Sequence, residues 1–174
     1  MSRSHQDTGK FRKHTEDKFY TKQEVAKICI ETVLDQIQHA ARDYDWIEPA
    51  AGAGAFFHSF PKEVSKMYAM DIEPDSPDVE CRDFLQWVPP PLSQGRSYVV
   101  IGNPPFGRQS SMAKRFIQAS CMFADVVAFI LPRSFMKPSM NRVFPPLFHL
   151  VKQIELPEFS FLLNGEPYDV PCVF

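Results

Sequence analysis

Two short stretches of this chain combine the residue types that chemistry needs at spacings that suit it. The first, Glu48-Pro49-Ala50-Ala51-Gly52-Ala53-Gly54-Ala55-Phe56, sets a carboxylate ahead of two glycines two positions apart. Such glycines let the backbone turn tightly and let a ligand approach with no Cβ in the way. A dinucleotide fingerprint asks for a third glycine three positions on, where Phe57 stands, so NAD and FAD are disfavoured. Asp71 follows at the end of the next apolar run, roughly twenty residues on, where an acid commonly accepts from a ribose. A glycine turn alone is weak, but framed by Glu48 and Asp71 it points to a nucleoside ligand. The second stretch, Asn103-Pro104-Pro105-Phe106, directly follows the apolar run Tyr98-Val99-Val100-Ile101. As a plain turn it needs no function. Yet two prolines fix the backbone, so the Asn103 amide oxygen and the Pro104 carbonyl can be held as a pair of acceptors. An NH2 group on a planar ring or an amide donates to such a pair, and Phe106 offers a face on which that plane stacks.

Positioning these groups requires strands that end where the motifs begin. Apolar runs at residues 46–47, 67–72, 98–102, 126–131, 150–156 and 170–174 read as strands, and residues 53–60 and 112–124 between them read as helices. The buried face of the second is marked by Met112, Ala113, Phe116, Ile117 and Cys121. A further helix opens with a Thr21-x-x-Glu24 capping box and runs its core face along Val25, Ile28, Cys29, Thr32, Val33, Ile37 and Ala40. Strands alternating with helices imply an α/β fold, a mostly parallel sheet with helices on both faces. The proline clusters all fall between these elements. Residues 1–18 contain no aliphatic residue after Met1 and read as a mobile, slightly basic tail, leaving 19–174 as one domain.

Composition bounds the function class. With 44% hydrophobic and 23% charged residues, the 174-residue chain can build a real core. It has no membrane-length apolar run and no signal-peptide pattern, so an intracellular protein is expected. Four cysteines stand singly, with no zinc or disulfide spacing, so reduced thiols and no metal are expected. The net charge of −2 conceals a split. Residues 43–83 hold ten acids against three bases, whereas residues 99–153 hold seven bases against the single acid Asp125. One part of the surface is thus suited to an anionic partner.

The glycine loop followed by Asn-Pro-Pro-Phe resembles the S-adenosylmethionine-dependent amino-methyltransferases, in particular the adenine-N6 class. The Asp-Lys-Phe-Tyr-Thr element at residues 17–21 is similar to the cofactor-contacting segment of restriction-type DNA adenine methyltransferases, and the order of the three elements is that of their gamma group. The resemblance implies a Rossmann-like methyltransferase fold, S-adenosylmethionine as cofactor, and DNA slightly ahead of RNA as substrate. Tyr20 and Thr21 would lie against the methionine end of the cofactor. Glu48, Pro49, Ala50, Gly52 and Gly54 would hold its amino-acid portion, Asp71 with Ile72 its ribose, and Asp83 with Phe84 its adenine. Asn103, Pro104, Pro105 and Phe106 would address the target base, with Asn103 also bordering the cofactor. Arg108, Lys114, Arg115, Arg133, Lys137 and Arg142, in the basic stretch, are assigned to phosphates around the target. Lys22 departs from the pattern, since relatives often carry proline there.

The same tetrapeptide type also serves guanine-N2 methylation of ribosomal RNA, and a tyrosine variant serves protein glutamine. A non-catalytic, methyltransferase-like subunit is the competing class. Gamma-group relatives carry a target-recognition domain after the catalytic one and none is visible here, so a partner subunit supplying recognition is one expectation. A fragment and a minimal enzyme are the others.

Overall fold

The structure, a computed structural model, describes residues 18–174; the expected tail therefore lies outside the described residues except for Lys18. Five short segments, Tyr44–Pro49 (β2), Met67–Asp71 (β3), Glu80–Cys81 (β4), Ser97–Gly102 (β5) and Val126–Phe129 (β6), form a wholly parallel sheet in the order β4-β3-β2-β5-β6. The central strands are apolar on both sides because both faces are covered. Trp46, Val99 and Ile101 point to one face, where helix α1 (Gln23–Gln36) packs through Val25, Ala26, Cys29, Ile30, Val33 and Leu34. Ile47, Tyr98, Val100 and Phe129 point to the other, where helix α2 (Ser111–Ser120) packs through Ala113, Phe116 and Ile117. The fold is therefore a Rossmann-like α/β sandwich with one helix on each face among the described residues.

Smaller antiparallel pieces complete it. Tyr20–Thr21 (β1) pairs with Phe161–Leu163 (β8), which forms a hairpin with Glu166–Tyr168 (β9). Its turn, Asn164-Gly165, has both residues at positive φ, 52° and 82°, as a two-residue hairpin requires. Leu131–Pro132 (β7), following on from β6, pairs with Cys172–Val173 (β10).

Four sequence expectations give way here. The capping box does not form: Thr21 is paired in β1 opposite Phe161, and Lys22 precedes α1 with no side-chain cap. The buried face of α1 is rotated toward Ala26, Ile30 and Leu34, leaving Ile28 exposed, because apolar residues at both 28 and 30 make the period ambiguous. Residues 53–60 form turns and one short 3-10 segment, Phe57–Ser59, since Gly54 sits at φ 79° and Pro61 ends the run. Of residues 150–156 only the end pairs: Ile154 and Leu156 bond the backbone of Phe174 and Cys172 around a Glu155–Val173 bridge, and residues 150–153 stay unpaired in a stretch bounded by Pro145-Pro146 and Pro157.

One buried ion pair ties the sheet's entry side. Asp45, 1% exposed in β2, accepts from Arg96 Nε at 2.8 Å and from its Nη2. The rest of the guanidinium donates to the carbonyls of Arg42 and Tyr44. Removing one member of such a pair leaves a buried charge without compensation. Arg96→Met is expected to lower unfolding stability by about 3–5 kcal/mol in urea titrations, and Asp45→Asn in the same chain to restore part of it. An Arg96→Met protein as stable as wild type would show that the pair carries no such load.

Candidate functional site at the carboxyl edge of the sheet

The strand order reverses at β2: the chain passes outward to β3 and β4, then returns to the other side of β2 with β5 and β6. In open α/β sheets the crevice at such a switch point, outside the carboxyl ends of the strands, is where ligands bind. Here those ends deliver Glu48 and Pro49 from β2, Asp71 from β3, and Gly102 with Asn103 from β5. The register sets Val100 opposite Ile47, and a Cβ built on Gly102 would lie 3.5 Å from Glu48 Cγ. The two motifs therefore meet, although fifty-odd residues of chain separate them.

The glycine loop is held from two sides by carboxylates. Glu48, 2% exposed, accepts from the amides of Phe57 (2.7 Å) and Phe56 (3.3 Å). Asp71 accepts from the amides of Gly52 (2.8 Å) and Glu73 (2.9 Å). Ala50, Gly52 and Gly54 all take positive φ, 58°, 54° and 79°. At Gly52 a Cβ would meet the Tyr20 ring at 3.4 Å, so β1 lies directly over the turn. The Tyr20 hydroxyl in turn donates to Asp75 Oδ2 (2.7 Å), and Lys18 Nζ bonds the same oxygen and the Glu73 carbonyl. Burial and the nearby carboxylates push the Tyr20 phenol up to about 12, so it remains a donor.

Asn103 is the polar anomaly. Its amide oxygen is buried and has no hydrogen-bond partner among the described residues. Pro104 behind it is buried, Pro105 is exposed, and Phe106 is half-buried against both apolar clusters. The Phe106 carbonyl accepts from the amides of Met112 and Ala113, joining the tetrapeptide to the start of α2. Gly107 makes that junction possible: it sits at φ 68°, and a Cβ there would approach Met112 Cγ to 2.8 Å.

The remaining expected residues divide. Thr21 is buried in β1 beside Tyr20, and Ile72, just past β3, is 68% exposed at the crevice edge. Asp83 spends one oxygen on the Leu85 amide and the other on Gln86 Nε2, and Phe84 is buried with its ring stacked on Phe116. Arg108, Arg115, Lys137 and Arg142 are exposed and Lys114 half-buried, all on segments that leave the carboxyl edge after β5 or β7. Arg133 is exposed but paired with Glu155 at 3.0 Å. Sequence reasoning missed Lys18, Asp75 and Gly107. Only Gly107, directly behind Phe106, carried a readable signal; Asp75 is one acid among many. Among the described residues no group of His, Cys, Asp and Glu lies together as a metal site would need, and no helix is long and apolar enough to cross a membrane. The thiols of Cys29, Cys121 and Cys172 are all pushed up by burial, away from the thiolate form.

No protein-family model matches the chain, and no curated protein matches it. Among solved structures it is similar to the crystal structure of PH1948 from Pyrococcus horikoshii, a protein provisionally described as an RNA methyltransferase. The two are 15% identical, superpose with a TM-score of 0.61, and share 97% of this chain and 90% of that one. The likeness shows a shared Rossmann-like α/β fold. In this fold the crevice at the switch point is the place to look for chemistry, and it is the place to which both sequence motifs are delivered.

The Glu48 carboxyl gives a direct test of how the crevice is built. Burial lifts it from 4.5 to about 8, against the opposing pull of the Phe57 and Phe56 amides. A group whose pKa is higher folded than unfolded stabilises most below its unfolded value, and that contribution is lost as pH rises through its folded value. Relative to Glu48→Gln, wild-type stability should therefore fall as pH is raised from about 5 to about 8. Urea midpoints of both proteins across that range check it, and a constant difference would contradict the burial of a titrating carboxyl.

Proposed function

We propose that this chain transfers a methyl group from S-adenosylmethionine to the exocyclic N6 amine of adenine in nucleic acid. The observation that carries the reading is the buried, unpartnered Asn103 amide oxygen at the end of β5. Leaving a buried acceptor unpaired costs about 1–3 kcal/mol, a cost removed when a substrate brings the donor. An amine on a planar ring is such a donor, and the adjoining Pro104 carbonyl gives its second hydrogen a partner.

The crevice fits the cofactor in three respects. The turn from Pro49 and Ala50 through Gly54 offers close backbone approach for an amino-acid tail, with Tyr20 and Thr21 alongside. Each Asp71 oxygen takes only one amide and keeps capacity for a ribose hydroxyl. Ile72, exposed beside it, offers an apolar plane that an adenine would cover. Asp83 remains available to the adenine amine through its second lone pairs, whereas the Phe84 ring is occupied by Phe116. Glu48 acts indirectly, by fixing the loop backbone. When bound, S-adenosylmethionine supplies a methyl group already activated by its sulfonium centre.

An exocyclic amine is a poor nucleophile because its lone pair is delocalised into the ring. Two acceptors on its hydrogens favour the pyramidal nitrogen and stabilise the positive charge that grows during attack. Asn103 and the Pro104 carbonyl fill that role without a general base. Phe106 stacks on the base and holds it in line. The basic residues after β5 and β7 suit phosphates around it. Resemblance leans to DNA, but the fold likeness is to a protein described as an RNA enzyme, and RNA is taken as the first substrate.

Incubation with methyl-labelled cofactor and separate RNA and DNA pools, followed by nucleoside analysis, is expected to give N6-methyladenosine. Asn103→Ala should slow transfer about 100-fold or more, the scale of removing one charge-stabilising hydrogen bond, while cofactor affinity changes little. Label in N2-methylguanosine would move the reading to the guanine class. An Asn103→Ala enzyme with full activity would remove Asn103 from its role.

A further inference from the structure

Between Phe144, packed in the α2-side cluster, and Ile154, paired through its backbone with Phe174, the chain forms a bare loop. At its tip Leu147, Leu150 and Val151 are 90%, 74% and 73% exposed, which is unusual for three aliphatic side chains in five residues. The loop's base is stiff, with Pro145-Pro146 on one side and a Phe148 amide to Pro145 carbonyl bond closing a turn. Its charge is of one sign: residues 137–154 contain Lys137, Arg142 and Lys152 and no acid, while Arg133 before them is paired with Glu155. The segment leaves the carboxyl edge, because the Ile130 amide bonds the Gly102 carbonyl beside Asn103 and the chain continues outward from there.

We infer that this loop is a wedge for base-paired nucleic acid, its aliphatic tip entering the stack at the space left when the target base is turned out toward Asn103. The inference rests on the proposed nucleic-acid activity and adds the structural state of the substrate. Charge complementarity selects the occupant: a polyanion suits an aliphatic tip on a segment whose unpaired charges, Lys137, Arg142 and Lys152, are all basic. The residue types select the duplex. Single strands are held by aromatic faces on which bases stack, whereas inserted aliphatic side chains part base steps in a duplex and fill the gap. A base within a duplex must leave the stack before a buried acceptor can reach its amine. The proline-stiffened base reduces the ordering that insertion would otherwise require.

The test compares wild type with Leu147→Ser/Leu150→Ser, both fully surface positions, on random-sequence RNA and DNA pools, each single-stranded and each converted to duplex. Methyl transfer to duplex should fall at least about ten-fold and transfer to single strands by less than about two-fold, since only the duplex needs the wedge. Equal losses on both forms, or no loss on duplex, would overturn the wedge. Wild-type enzyme active on single strands alone would overturn it while leaving the proposed function intact. Wild-type enzyme inactive on all four pools would instead remove the function beneath it. Sedimentation of both proteins covers the remaining occupant: a wild-type dimer that the double variant abolishes would make the tip a contact between copies of the chain and would also overturn the wedge.

Discussion

Everything in the crevice depends on two buried carboxyl groups that spend their oxygens on backbone amides. Glu48 takes Phe56 and Phe57, and Asp71 takes Gly52 and Glu73, so both ends of the glycine loop are pinned from adjoining strands. A loop with three positive-φ residues in five has little intrinsic reason to hold one shape. The two carboxyl groups supply that reason. Tyr20 and Asp75 then close the loop from outside.

The switch point converts this local order into a site. Parallel pairing of β2 with β5 brings the loop level with Gly102 and hence beside Asn103. The tetrapeptide is in turn braced by the Phe106 carbonyl on α2, through a turn that Gly107 alone permits. For the proposed methyl transfer, the Asn103 oxygen held next to a backbone cradle would act by position and electrostatics more than by proton transfer.

Much of this was legible in the sequence, and the reasons are physical. Continuous apolar runs such as Tyr98-Val99-Val100-Ile101 mark strands covered on both faces, and the order of strands and helices implied the parallel sheet. Both motifs announced themselves through glycine and proline, whose backbone effects are local. Contacts made at a distance were not legible. Thr21 and Glu24 look like a capping box until Phe161, far along the chain, claims Thr21 for a strand. Residues 150–156 have strand composition, but only Ile154 to Leu156 find a partner, the antiparallel segment at Cys172 to Phe174. The Asp45–Arg96 pair and the Tyr20–Asp75 bond join residues whose individual types say nothing of their partners. The Asn164-Gly165 hairpin is the exception, a local signal that the strand pattern around it obscured.

In the proposed function one crevice holds the cofactor through its loop and Asp71 and reserves Asn103 for the amine. Calorimetric titration of S-adenosylhomocysteine, the demethylated cofactor, tests it most directly. The account predicts saturable one-to-one binding by wild type and near wild-type binding by Asn103→Ala. Asp71→Ala, which removes the acceptor for the ribose hydroxyls, should bind at least about ten-fold more weakly. No binding by wild type, or loss of binding through Asn103 with Asp71 silent, would contradict it.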